Sequence, residues 1–179
     1  MLDPSKLDLH EDDTKHRADL GAAFRRIRQA TGVPGRSLDH FGMRVFMLEA
    51  KTSWLLSTTQ KWAHALRRQL RWEIVGLDAP EELLKGFDWS ASDDDLRMQL
   101  RRRVREIREY LNIGTREMDR LLGQSSPRQW RWENDANRDV NLVTLQRVFR
   151  AMGGQLVFSL VPLHNPELGA KRGLNQTTS

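Results

Sequence analysis

The chain has 179 residues, 39% of them hydrophobic, which suffices for one domain or two small ones with an ordinary core. Its 29 Lys and Arg against 24 Asp and Glu give a net charge of +5, and between Asp93 and Leu163 there is no lysine, so arginine, suited to phosphate forks and base edges, carries the basic character there. The lack of cysteine excludes disulfides, thiol nucleophiles and Cys-ligated zinc, and without a long apolar run or a charged-then-apolar start the expected location is cytoplasmic, with no membrane partner.

Residues 1–18 are polar and aperiodic, and are expected to form a fraying N-terminal tail. Within them "HEDDTKH" gathers His10, Glu11, Asp12, Asp13 and His16, but in no metal-ligand spacing, so it reads as an acidic tail segment and no metal is expected. From Leu20 the chain begins a pattern that returns at Leu100. "LGAAFRRIRQATGVPGRSLD" lies over "LRRRVREIREYLNIGTREMD" at an offset of 80, matching Phe24 with Val104, Ile27 with Ile107, Arg28 with Arg108, Val33 with Ile113 and Leu38 with Met118. Farther on, "TQKWAHALRRQLRWEIVGL" lies over "LQRVFRAMGGQLVFSLVPL" at an offset of 86, matching Gln60 with Gln146, Leu66 with Met152, Leu70 with Leu156, Trp72 with Phe158 and Ile74 with Leu160. The second copy is therefore longer by six residues, inserted between Asp119 and Gln146.

Two tandem domains follow from this repeat, at 19–77 and 93–163, each a set of helices closed by one strand, so the fold class is mainly α. The intervening 78–92 is acidic, with Pro80, Gly86 and serines, and reads as a linker holding one helical turn at Glu81 to Lys85. In the second copy Ser92 with Asp93 to Asp95 starts a helix, and Leu96, Leu100, Val104, Ile107 and Leu111 give it an apolar face. Thr115 is expected to cap a short second helix that ends at Gly123 as the C′ residue. Ser125 or Ser126, with Pro127 in the first turn, starts a third. Leu142 to Met152 forms a fourth, closed by Gly153 and Gly154, and "QLVFSLVP" is a strand stopped at Pro162. Residues 164–179 read as a C-terminal tail.

A lone strand leaves both edges unpaired. The strands "QLRWEIV" and "QLVFSLV" can pair with each other, making an intramolecular pseudo-dimer about a pseudo-twofold axis, or between chains, making a homodimer. In "SSPRQWRWEND" Trp130 and Trp132 stand two apart and point about 200° from each other, so they cannot share one core. Trp132 is assigned to packing; for Trp130 core packing, stacking on sugar and helix capping compete. "RRRVREIRE", from Arg101, reads as a solvated helix face laced with Glu pairs.

Residues 96–162 closely resemble the Cro/repressor-type, or Xre-like, helix-turn-helix family. The resemblance rests on the ordered set Thr115, Met118, Gly123, Ser125 and Trp132-Glu133, followed by "NLVTLQRVFRAMGG" as the fourth helix and a strand similar to the dimerisation strand of antitoxin-type and phage-type members. Gln129 and Asp119 depart from the pattern, and Asp39 repeats the latter, which suggests a shared structural role. The first copy resembles the family more distantly: its "FGMRVFMLEAKTS" places Phe46, Met47 and Leu48 where a reader needs polar tips.

The resemblance implies a third helix near Ser125 to Asn134 that enters the major groove. Ser125, Ser126, Pro127, Arg128 and Arg131 fall at its start and reading positions, with Arg131 the preferred base reader; Arg116 falls on the phosphate-holding first turn, and Asn134 to Arg138 on the loop along the backbone. Arg36, Arg44 and Lys51 are the first copy's phosphate candidates. The expectation is a sequence-specific double-stranded DNA-binding transcriptional regulator, a repressor, without enzymatic activity or cofactor. The alternative is an antitoxin-like or adaptor module that neutralises a protein partner through apolar residues of the first copy, Phe46, Met47 and Trp54.

Overall fold

The computed structural model describes residues 10–35, 54–124, 128–135 and 139–163, the side chains of 128–130 excepted. It is mainly helical. Helix α1 (Glu11–Ala30) leads to α2 (Leu56–Ala65) and strand β1 (Arg68–Val75), and the short α3 (Glu81–Leu84) precedes the second copy. There α4 (Asp93–Tyr110), α5 (Thr115–Leu121), α6 (Arg128–Asn134) and α7 (Leu142–Ala151) precede β2 (Gln155–Pro162).

The two copies use the same local devices. In α4 the Ser92 hydroxyl accepts the Asp95 N–H, and three aspartates follow at the positive end of the helix dipole. Its buried face, Leu96, Leu100, Val104 and Ile107, recurs at spacings of three and four, and α1 buries Leu20 and Phe24 in the same register. Both helices end in the same cap: Gly32 and Asn112, 80 residues apart, take positive φ, and the next N–H, from Val33 or Ile113, returns to the carbonyl of Arg28 or Arg108.

The strands pair with each other inside the chain, antiparallel, with Trp72 opposite Phe158. These two residues are also counterparts in the repeat. Two residues to either side the counterparts exchange places, Leu70 facing Leu160 and Ile74 facing Leu156. That is the pattern made by a twofold axis passing through the Trp72–Phe158 pair. The axis meets the backbone again at a bridge between Leu55 and Asn141, likewise 86 apart, where Leu56 N–H donates to Val140 O and Leu142 N–H to Trp54 O, both at 2.8 Å.

Side chains repeat across the same axis. The Asp13 carboxylate, fully buried, accepts from Arg150 Nε at 2.8 Å and Nη2 at 3.1 Å, and Arg17 donates to Gln146. In the other direction Asp93 meets His64 Nε2 at 2.9 Å, and Arg97 donates to Gln60 at 2.7 Å. Asp13 and Asp93, Arg17 and Arg97 are counterparts, as are Arg150 and His64, Gln146 and Gln60. Each copy's first helix thus grips the last helix of the other copy. The halves share one continuous apolar core, in which Phe24 stacks on Trp62 at 4.0 Å with Trp54 edge-on to both.

Three expectations are corrected. The N-terminal segment expected to fray through residue 18 is helical from Glu11, because Asp13, His16 and Arg17 have partners in the other half. Thr115 does not cap α5: Gly114 occupies the N-cap position, no side chain caps it, and Thr115 is the first helical residue. The linker holds its helical turn, but it is packed down, Phe87 and Trp89 closing edge-on around the Trp72 ring.

Candidate nucleic-acid interface

Helix α5 presents Arg116 outward on its first turn and buries Met118, Asp119 and Leu121. It ends in a double-bonded cap, Gly123 N–H to Arg120 O at 3.1 Å and Gln124 N–H to Asp119 O at 2.8 Å, which requires the φ of +66° that Gly123 supplies. Arg147 of α7 donates from Nη2 to the Leu122 carbonyl at 3.2 Å, tying the end of α5 to the fourth helix of the copy.

After the turn, α6 is mounted on α4 by two adjacent residues. Trp132 is 7% exposed, with the Arg101 guanidinium 5.5 Å from its ring centroid. Glu133 accepts two parallel bonds from Arg108, Nε at 2.8 Å and Nη2 at 2.7 Å, while Arg108 Nη1 donates to Ile113 O at 2.7 Å. The Glu133 hydrogen bond raises the Arg108 pKa, against its burial, so the guanidinium stays charged in the interior. Burial acts the other way on Arg101, lowering its pKa, with Asp135 and Asp139 opposing.

With Trp132 and Glu133 turned inward, Arg131 and Asn134 of α6 are exposed. Neither Arg131 nor Arg116 joins an ion pair among the described residues. The neighbouring Arg120 is engaged by Glu117, whose hydrogen bond raises the Arg120 pKa while the carboxyl's own is lowered. The structure therefore brings Arg116, Arg131 and Asn134 together on one helix–turn–helix unit, with exposed side chains at each. The backbone of Arg128 opens α6, but its side chain lies outside the described residues, as do those of Gln129 and Trp130. Ser125, Ser126, Pro127, Arg138, Arg36, Arg44 and Lys51 also lie outside them, together with Asp39, Phe46 and Met47.

Trp54, taken as an exposed apolar residue of the first copy, is 2% exposed and packs edge-on against both Phe24 and Trp62. The "RRRVREIRE" face is only partly the solvated ladder expected: Arg103 pairs with Glu106 and Arg105 with Glu109, while Arg101 and Arg108 turn inward to hold α6. Sequence reasoning missed those two, and Arg147 with them. For Arg108 the usable signal was its match with Arg28 at a core-facing helical position, whereas Arg101 stands over Gly21 and gave none.

Among the described residues no group of His, Cys, Asp or Glu is placed to hold a metal ion, and no helix is long and apolar enough to cross a membrane. No family model, no curated protein and no solved structure matches the chain.

Proposed function

We propose that the chain is a cytoplasmic, sequence-specific double-stranded DNA-binding regulator of Cro/repressor type, a repressor of transcription, that reads the major groove with α6. The observation that carries this reading is the mounting of α6: Trp132 and Glu133 face Arg101 and Arg108 of α4, and Arg131 is left facing outward. An outward guanidinium on such a helix has the reach to fork onto guanine O6 and N7. Arg116, at the start of α5, is the phosphate contact that sets the register.

The first half serves as the built-in partner. Because the second copy carries six more residues in the interval that holds its turn and α6, the halves differ where bases are read, and the operator is asymmetric.

Selection of bound DNA from a random pool tests this directly, since a single asymmetric consensus is expected and failure to enrich any sequence rejects the proposal. On the selected site Arg131→Ala should cost about 1–3 kcal/mol and on random DNA little. An equal loss on both would make Arg131 a phosphate contact. Arg116→Ala should weaken all sequences alike and lower the salt slope by about one.

A further inference from the structure

The first turns of α1 are fastened to the second half by Asp13, His16 and Arg17, and of these the imidazole has a bond that depends on its protonation. His16 Nε2 lies 2.9 Å from the backbone nitrogen of Phe158, and its ring runs nearly parallel to the Phe158 ring, at 13° with centroids 6.4 Å apart. A peptide nitrogen only donates, so Nε2 must be the bare nitrogen and the proton of the neutral ring sits on Nδ1. The contact lies on the outer edge of β2, at the register position where Phe158 stands opposite Trp72.

We propose that His16 is a proton-operated latch: the neutral imidazole fastens the N-terminal arm of α1 to the edge of β2, and its protonation releases that arm from the sheet. An imidazolium carries hydrogen on both nitrogens, so Nε2–H would face the Phe158 N–H, donor against donor. The sheet edge then loses its acceptor at that position.

The surroundings favour the neutral ring. Burial against β2 disfavours the charged form and outweighs the carboxylates of Asp13 and Asp19, while Arg17 and Lys15 act with burial, so the pKa lies below the ordinary imidazole range. On α7, Arg150 is held by Asp13. β2, "QLVFSLVP", has no ionisable side chain. With the folded value below the unfolded one, the latch contributes fully above the unfolded pKa of about 6.5 and is lost as pH falls through the folded value. The fastening of the other arm differs in its chemistry: His64 Nε2 faces the Asp93 carboxylate, which only accepts, so a ring N–H there makes the bond instead of blocking it.

The test uses the full chain labelled with 15N. The His16 ring nitrogens and the hydrogen-exchange protection of the Phe158 amide are followed from pH 8 to pH 5, with exchange corrected for its intrinsic pH dependence. As His16 becomes charged, Phe158 protection should fall about tenfold, the worth of one hydrogen bond, while Leu145 in α7 keeps its protection. In His16→Gln the amide oxygen accepts at every pH, so the change over the same range should stay within about twofold. Undiminished Phe158 protection with a charged His16 would overturn the proposal, and so would an equal fall in His16→Gln.

Discussion

Glu133→Gln isolates the pair that mounts α6. The side chains of Arg108 and Glu133 are 7% and 2% exposed, and two bonds of 2.8 and 2.7 Å join them, so both charges are out of water. The substitution keeps the volume but removes one charge and turns one of the two acceptors into a donor facing a guanidinium N–H. Arg108 would be left with the Ile113 carbonyl and with Glu109, whose half-exposed carboxylate is 3.7 Å away. Breaking a buried pair by removing one partner costs about 3–5 kcal/mol, and the surviving amide oxygen puts this case near 3 kcal/mol. Followed by circular dichroism in urea, with a slope of about 2 kcal/mol/M, the midpoint should fall by about 1.5 M without change of slope. Glu117→Gln is the control: its bonds to Arg120 look the same on paper, but both side chains stand in solvent, and the midpoint should not move. A Glu133→Gln midpoint as little displaced as the control would refute the claim that an unsolvated ion pair holds α6.

Asp13→Ala strands Arg150 inside the seam, and since that guanidinium is 27% exposed the expected cost is about 2–3 kcal/mol in the same urea assay. A double-mutant cycle with Arg150→Ala should return a coupling of about 1–3 kcal/mol, and additivity would show the two residues act separately. Asp93→Ala, whose partner His64 is more exposed, should cost less than Asp13→Ala; the reverse order would mean that burial does not set the cost of these contacts. Gly123→Ala meets no atom within 4 Å, so its expected loss of about 1–2 kcal/mol is backbone strain at φ +66° alone. Gly154→Ala differs in cause, because its added Cβ runs into the Leu77 side chain from the end of the first copy.

The strand pairing was readable because apolar matches such as Leu70 with Leu156 and Trp72 with Phe158 survive in the two copies, and a twofold through one counterpart pair then dictates the rest of the register. Trp132 was readable from its apolar place in the family pattern, the helical angle saying only that it and Trp130 face different ways. The exchange of helices was not, although Asp13 with Asp93 and Arg17 with Arg97 continue the offset of 80 upstream of Leu20. Hydrophobic periodicity counts apolar residues, and a helix face that buries Asp13 and Arg17 against polar partners is invisible to it. Arg101 and Arg108 were hidden for the same reason: an arginine turned inward to an aromatic ring or a carboxylate is written in the same letter as one in solvent. Of the residues singled out from Thr115 to Asn134, Arg116, Arg131 and Asn134 are exposed.

Joining both halves in one chain frees them from a rule that binds a symmetric dimer, where every substitution is made twice. His64 can stand where the other half has Arg150, and Trp72 where it has Phe158, with no cost imposed at the mirror position. Pairing of the halves also ceases to depend on concentration, since each is always at hand at the end of a short tether, so dilution does not dissolve the fold.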